Sequence, residues 1–175
     1  MIAVIDYGAG NIFSVKNALS YLNLPHQLTA DPEVIAAADG IILPGVGAFP
    51  SAMRMLERKG LIPLLQQEAK RKPFLGICLG MQMLFETSYE FETCSGLGLI
   101  PGTVERIPAK DLIIPHMGWN RLECKHPCPL LEGLPEEAYV YFVHSYQAVC
   151  DDASIAASCT YGGQIPALVY DGAYV

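Results

Sequence analysis

The residues with the clearest chemistry are Gly76-Ile77-Cys78-Leu79-Gly80, preceded by Phe74-Leu75 and followed by Met81-Gln82. A cysteine between two glycines, where a short apolar strand meets a helix, is the thiol form of a nucleophile elbow. The corner is tight, so the neighbours of the nucleophile must lack bulky side chains. The sulfur then projects above the sheet edge. A helix over Met81 to Glu86 would aim its N-terminus at that sulfur and favour thiolate. The N–H of Leu79 would be free to donate to an oxyanion. The same residues also admit a plainer reading, a buried structural cysteine in a glycine turn.

Elements must position this corner, and the first half of the chain supplies them in alternation. Ile2 to Asp6 reads as an apolar strand, Tyr7-Gly8-Ala9-Gly10 as a turn, and Asn11 as the cap of a helix through Leu22. That turn could cradle a phosphate, but it is not Gly-x-Gly-x-x-Gly, and a simple tight turn is the other reading. His26 to Thr29 and Gly40 to Leu43 are further strands. Helices are predicted over Glu33 to Ala37, over Ala52 to Arg58, and along Leu61, Leu64, Leu65 and Ala69. Near-continuous apolar strands alternating with helices predict an α/β fold, a mostly parallel central sheet with helices on both faces. Ligands in such sheets gather at the carboxyl ends of the strands. Pro44-Gly45-Val46-Gly47 and Cys78 both fall there. The glycines around Val46 would let a backbone approach a ligand or a peptide reorient, although such loops favour glycine in any case.

The second half adds antiparallel strands. A loop spans Ser88 to Gly102, and short extended pieces are read at Leu99-Ile100, Thr103 to Ile107 and Leu112 to Ile114. Pro115-His116-Met117-Gly118-Trp119-Asn120 holds the single tryptophan, and Pro129 to Leu134 is about one helical turn. Tyr139 to Tyr146 is a strong strand by aromatic and β-branched content. Ile155 to Tyr161 and Ile165 to Tyr170 pair across Gly162-Gly163, and Asp171-Gly172 turns into a strand opened by Ala173-Tyr174-Val175.

Bulk properties narrow the classes. The chain has 175 residues, 51% hydrophobic and 17% charged, which suits one globular domain, 1–175. A formal net charge of −7 argues against a nucleic-acid or anionic-membrane surface. No run approaches the roughly 20 apolar residues of a membrane span, and the N-terminus has no basic n-region. The six cysteines include Cys124 and Cys128, but no second close pair completes a metal site. Free thiols in a reducing cytoplasm are expected.

Taken together, the elbow with Met81-Gln82 resembles the nucleophile motif of class I (triad) glutamine amidotransferases. Asp6 to Asn11, Pro44 to Gly47, Pro115 to Asn120 and Phe142-Val143-His144-Ser145-Tyr146 resemble the glutaminase subunits of imidazole glycerol phosphate synthases within that family. The resemblance implies that Cys78 attacks the side-chain amide of glutamine, with oxyanion donors at the N–H groups of Leu79 and Val46. It implies that Gly47, Gln82 and the Ser145-Tyr146 backbone hold the substrate's α-groups. His116, Met117, Trp119, Asn120 and Tyr141 would face a (β/α)₈-barrel synthase (cyclase) partner of histidine biosynthesis, which receives the ammonia. No cofactor and no metal is implied. Trp119 could equally be core packing, and His144 reads as a structural hydrogen-bonding residue rather than a catalytic one. The family's His-Pro-Glu motif, which supplies the base and its glutamate, does not occur in the sequence. The chain therefore reads as cut before its C-terminal piece and nearly inactive by itself. Two other readings stay open, a non-catalytic binding subunit that kept the fold and a stand-alone cysteine hydrolase.

Overall fold

The computed structural model describes residues 1–108 and 111–172. Its first half runs β1 (Ile2–Ile5), α1 (Ile12–Tyr21), β2 (His26–Thr29), α2 (Pro32–Ala37), β3 (Gly40–Gly45), α3 (Phe49–Arg58), α4 (Ile62–Glu68), β4 (Phe74–Cys78) and α5 (Leu79–Gln82). The four strands form one parallel sheet in the order β2-β1-β3-β4. Alternation along the strands decides the layers. Ala3, Ile5, Ile41, Leu43 and Phe74 pack to one side, where Ile35, Leu56 and Leu65 of α2, α3 and α4 cover them. Val4 and Ile42 pack to the other side against Leu19 of α1. Helices thus lie on both faces, as the strand pattern predicts. Asn11 caps α1 by accepting from the Ser14 N–H at 3.3 Å. Asp31 caps α2 through Glu33 N–H at 2.9 Å.

Beneath α2 and α4 lies a buried ion pair. Lys72 Nζ sits 2.7 Å from a carboxylate oxygen of Glu68, whose side chain is 1% exposed. The same ammonium donates to the Ile35 and Ala36 carbonyls at 3.1 and 2.7 Å, closing the C-terminal end of α2. Lys72, ahead of Arg71, holds the Glu68 carboxyl below its ordinary range against the effect of burial.

The second half comprises β5 (Phe85–Ser88), β6 (Cys94–Ser95), β7 (Ile100–Arg106), β8 (His116–Arg121), β9 (Glu123–Cys124), β10 (Tyr139–His144), β11 (Tyr146–Val149), β12 (Ile155–Thr160) and β13 (Gln164–Val169). A mixed sheet orders β11-β7-β5-β6, a ribbon pairs β10 with β8, and a third antiparallel sheet orders β13-β12-β9.

Several local expectations change. The helix expected to reach Glu86 ends at Gln82, after one turn. Met83, Leu84 and Phe85 are all buried, and three consecutive core residues suit an extended chain better than one helical face. Phe85 pairs with Ile100 instead. The run Tyr139 to Tyr146 is not one strand. It breaks at Ser145, β10 pairing with β8 and β11 with β7. The pieces around Ile100 and Thr103 merge into β7, whereas Leu112 to Ile114 is not a strand. α3 starts three residues before Ala52, at Phe49. The strand read at Ala173 to Val175 lies outside the described residues.

Candidate active site

Cys78 stands at the carboxyl end of β4 with φ 56° and ψ −116°, a conformation that non-glycine residues adopt only under constraint. Close backbone approach supplies the constraint. A Cβ on Gly80 would lie 1.9 Å from the Leu43 carbonyl oxygen, and one on Gly76 would lie 2.6 Å from the Gly80 oxygen. One on Gly45 would lie 2.4 Å from the Gly80 nitrogen. The elbow is therefore pressed backbone to backbone onto β3, which is why it needs glycine on both sides of the nucleophile. Leu79 is the first residue of α5, so its N–H has no partner within the helix. With α5 only one turn long, Cys78 at its N-cap precedes a single turn of amides rather than a long helix dipole.

A pocket of about 360 Å³ opens over Cys78. It is lined by Val46, Gly47, Leu79, Gln82, Ser145 and Tyr146, together with Glu90 and His144 among others. Every residue expected to bind glutamine or its oxyanion thus reaches one cavity. The loop at Val46 is anchored from behind. The buried Tyr7 hydroxyl donates to the Pro44 carbonyl at 2.8 Å. Burial first, then the nearby Cys78, pushes that phenol up to about 12, so it stays a donor. Beyond Gly45 the chain loosens, with Val46 half exposed and Gly47 at φ +92° with no atom within 4 Å of a would-be Cβ. The opposite wall is held by one side-chain and one backbone donor. Gln82 Nε2 donates to the Tyr146 carbonyl at 3.0 Å, and the Ile107 N–H donates to the Ser145 carbonyl at 3.0 Å.

Glu90 escapes a reading of the sequence, because it is one of several acids in a loop. In the structure its carboxylate accepts from the Phe49 N–H at 2.7 Å and lines the pocket. It is an anionic group suited to an ammonium.

The ribbon divides the residues expected at a partner surface. Met117, Trp119 and Tyr141 are 60%, 69% and 52% exposed, and Trp119 meets Tyr141 edge-on at 5.6 Å. Trp119 is therefore not core. His116 departs from the expected surface, whereas Asn120 is half-buried. The strand's alternation turns both inward, and His116 is 1% exposed. His144, though it lines the pocket, has Nδ1 at 2.9 Å from the Tyr146 carbonyl and Nε2 at 2.9 Å from His116 Nδ1. Neither nitrogen is left to serve Cys78.

Residues 3–173 match the family of class-I glutamine amidotransferases. The chain is 50% identical over 173 residues to a Bacillus cereus (strain G9842) protein named imidazole glycerol phosphate synthase subunit HisH, covering 98% of this chain and 82% of that relative. A protein of the same name from Desulfitobacterium hafniense (strain DSM 10664 / DCB-2) is 54% identical over 171 residues, covering 97% and 81%. Among solved structures, a crystal structure of a glutamine amidotransferase matches with TM-score 0.70 and 17% identity, over 90% of this chain and 80% of that one. PurLQS from Thermotoga maritima matches with TM-score 0.64 and 19% identity, over 93% and 76%. At these identities the structural likeness is one of fold.

Proposed function

The chain belongs to the class-I glutamine amidotransferase family, and from that premise we propose that it is the glutaminase subunit of an imidazole glycerol phosphate synthase, acting in cytoplasmic histidine biosynthesis. Cys78 Sγ attacks the side-chain amide carbon of glutamine. The carbon–nitrogen bond breaks, the nitrogen takes a proton and leaves as ammonia, and water hydrolyses the remaining thioester to glutamate and free thiol. Leu79 N–H, and Val46 N–H once its peptide is turned, hold the oxyanion. Gly47, Gln82 and the Ser145-Tyr146 backbone hold the α-groups, and Glu90 suits the α-ammonium. Ammonia then passes to a barrel-shaped cyclase docked on Met117, Trp119 and Tyr141. The observation that carries this reading is the convergence of the strained Cys78 elbow and those substrate-holding groups on one pocket.

Among the described residues, the one imidazole at that pocket is fully engaged. Residues 1–175 by themselves are accordingly expected to release little glutamate, since loss of the general base commonly costs ~10²–10⁴-fold. The test is glutamate release from glutamine, with and without the ligand-bearing cyclase, alongside alkylation of Cys78 by a chloroketone analogue of glutamine. Saturable alkylation that glutamine protects against, and that Cys78→Ala abolishes, supports the reading. Unselective alkylation of several thiols would overturn it in favour of a non-catalytic subunit. Normal glutamate release would show that a base reaches Cys78.

A further inference from the structure

Two imidazoles and an amide form a single file of hydrogen bonds behind the glutamine pocket. The Tyr146 carbonyl, already accepting from Gln82 Nε2, lies 2.9 Å from His144 Nδ1. His144 Nε2 lies 2.9 Å from His116 Nδ1, and His116 Nε2 lies 2.9 Å from Asn120 Oδ1. Asn120 Nδ2 donates to the Thr160 carbonyl at 3.4 Å. Both ends of the file are backbone carbonyls, which only accept. Asn120 is oriented with its nitrogen to Thr160 and its oxygen to His116, which keeps two carbonyl oxygens from facing each other. His116 Nε2 must then carry a proton, and so must His144 Nδ1. A third proton must lie between the rings. Two neutral imidazoles carry two protons, so with Asn120 in this orientation the file closes only with one in excess.

The surroundings show where that charge can rest. His116 is stacked between Phe142 and Tyr161, with ring centroids 4.9 and 3.9 Å away and interplanar angles of 19° and 17°. Two π faces favour a cation between them. His144 is pushed below its ordinary value, first by burial and also by His116, with its bond to the Tyr146 carbonyl opposing. Other titratable groups approach from three sides. Glu123 of β9 accepts from the Thr160 hydroxyl at 2.8 Å, and Cys159 lies beside Thr160 on β12. Tyr161 donates its own hydroxyl to the Ile113 carbonyl, and Cys78 and Glu90 share the pocket with His144.

We propose that His116 and His144 are positioning residues of the glutamine pocket: with Asn120 they hold one excess proton in a closed file of hydrogen bonds that fixes the Tyr146 carbonyl, and through it Gln82, at the pocket wall. His116 carries the charge, and His144 is the neutral tautomer with its proton on Nδ1. The role rests on the glutaminase reading given above; the proton count does not. The file also joins the inner face of β8, whose outer face presents Met117 and Trp119, to the substrate wall.

The test uses the unsubstituted chain labelled with ¹⁵N-histidine, which has four histidines. Long-range ¹H–¹⁵N correlation near neutral pH is expected to show three protonated ring nitrogens on the pair, with His144 Nε2 the bare one. Two protonated nitrogens would overturn the proposal and leave the glutaminase reading intact. His116→Gln should raise the half-saturating concentration of the chloroketone glutamine analogue at Cys78 about tenfold, as loss of a charge-assisted hydrogen bond does. The limiting alkylation rate should hardly change. An unchanged half-saturating concentration in a folded His116→Gln chain would overturn the positioning role. Absence of saturable alkylation in the unsubstituted chain would overturn the glutaminase reading, and the positioning role with it, whatever the proton count.

Discussion

The two walls of the pocket are built by opposite means. On the Cys78 side, backbone is pressed on backbone, with Gly45, Gly76 and Gly80 packed where no Cβ fits. On the Ser145-Tyr146 side, side-chain and backbone donors fasten the wall, with Gln82 and His144 both converging on the Tyr146 carbonyl. The difference suits the proposed chemistry. A nucleophile must be held to within a fraction of an ångström, and close-packed backbone does that without adjustable parts. A substrate grip must release product, and hydrogen bonds to side chains can lengthen individually. The Val46–Gly47 loop lies between these regimes, anchored at Pro44 by Tyr7 and loose beyond Gly45.

Substitutions should separate the two walls, the largest effect coming from the rigid one. Gly80→Ala brings a methyl group to 1.9 Å from the Leu43 oxygen. The unfolding free energy from urea titration is expected to fall by more than about 3 kcal/mol, beyond ordinary overpacking, and alkylation of Cys78 should be lost. A shift within about 0.5 kcal/mol would mean that the elbow relaxes and that the contrast between the walls is false.

The buried ion pair just before the start of β4 gives the next effect. Lys72→Met leaves Glu68 buried with only Arg71 beside it, which should cost about 3 kcal/mol. The pH dependence carries the sign. The Glu68 carboxyl is held below its ordinary 4.5, so its contribution is present above that value and is lost as pH falls through the lower folded one. Lys72→Met should therefore flatten the acid limb of a stability-versus-pH curve, as measured by urea unfolding at several pH values.

On the outer face of the adjustable side, Trp119→Ala should leave folding within about 0.5 kcal/mol of the parent. Binding to the cyclase should weaken by about 2 kcal/mol, the scale of an aromatic hot spot, read by titration calorimetry. A large folding loss with unchanged binding would move Trp119 back to the core. Smallest of all, Gln82→Leu removes one of two donors to the Tyr146 carbonyl. About a tenfold rise in the half-saturating concentration of the glutamine analogue is expected, with little change in the urea midpoint.

Much of this fold was legible from residues alone. The parallel sheet followed from three apolar runs, at Ile2 to Ile5, Gly40 to Leu43 and Phe74 to Ile77, alternating with helical spacing, because apolar strands between helices have few other options. The elbow was legible because Gly-x-Cys-x-Gly is a local requirement of a strained corner. Less of the site was visible. Glu90 gave no signal, since nothing local distinguishes an acid that turns into a pocket from one that faces water. The helix after Cys78 was overextended because the pairing of Phe85 with Ile100 outweighs local propensity.

The chain's own order of residues determined the parallel sheet and the elbow's glycines, both consequences of neighbours in sequence. Tertiary structure decided the rest through pairings between distant segments. The antiparallel register that sets His144 opposite His116 puts two imidazoles, 28 residues apart, into one hydrogen-bonded file. The break at Ser145 hands the rest of that strand run to another sheet and so turns the Tyr146 carbonyl toward Gln82. Register between remote strands depends on which side chains both can bury together, and no window of sequence contains both partners.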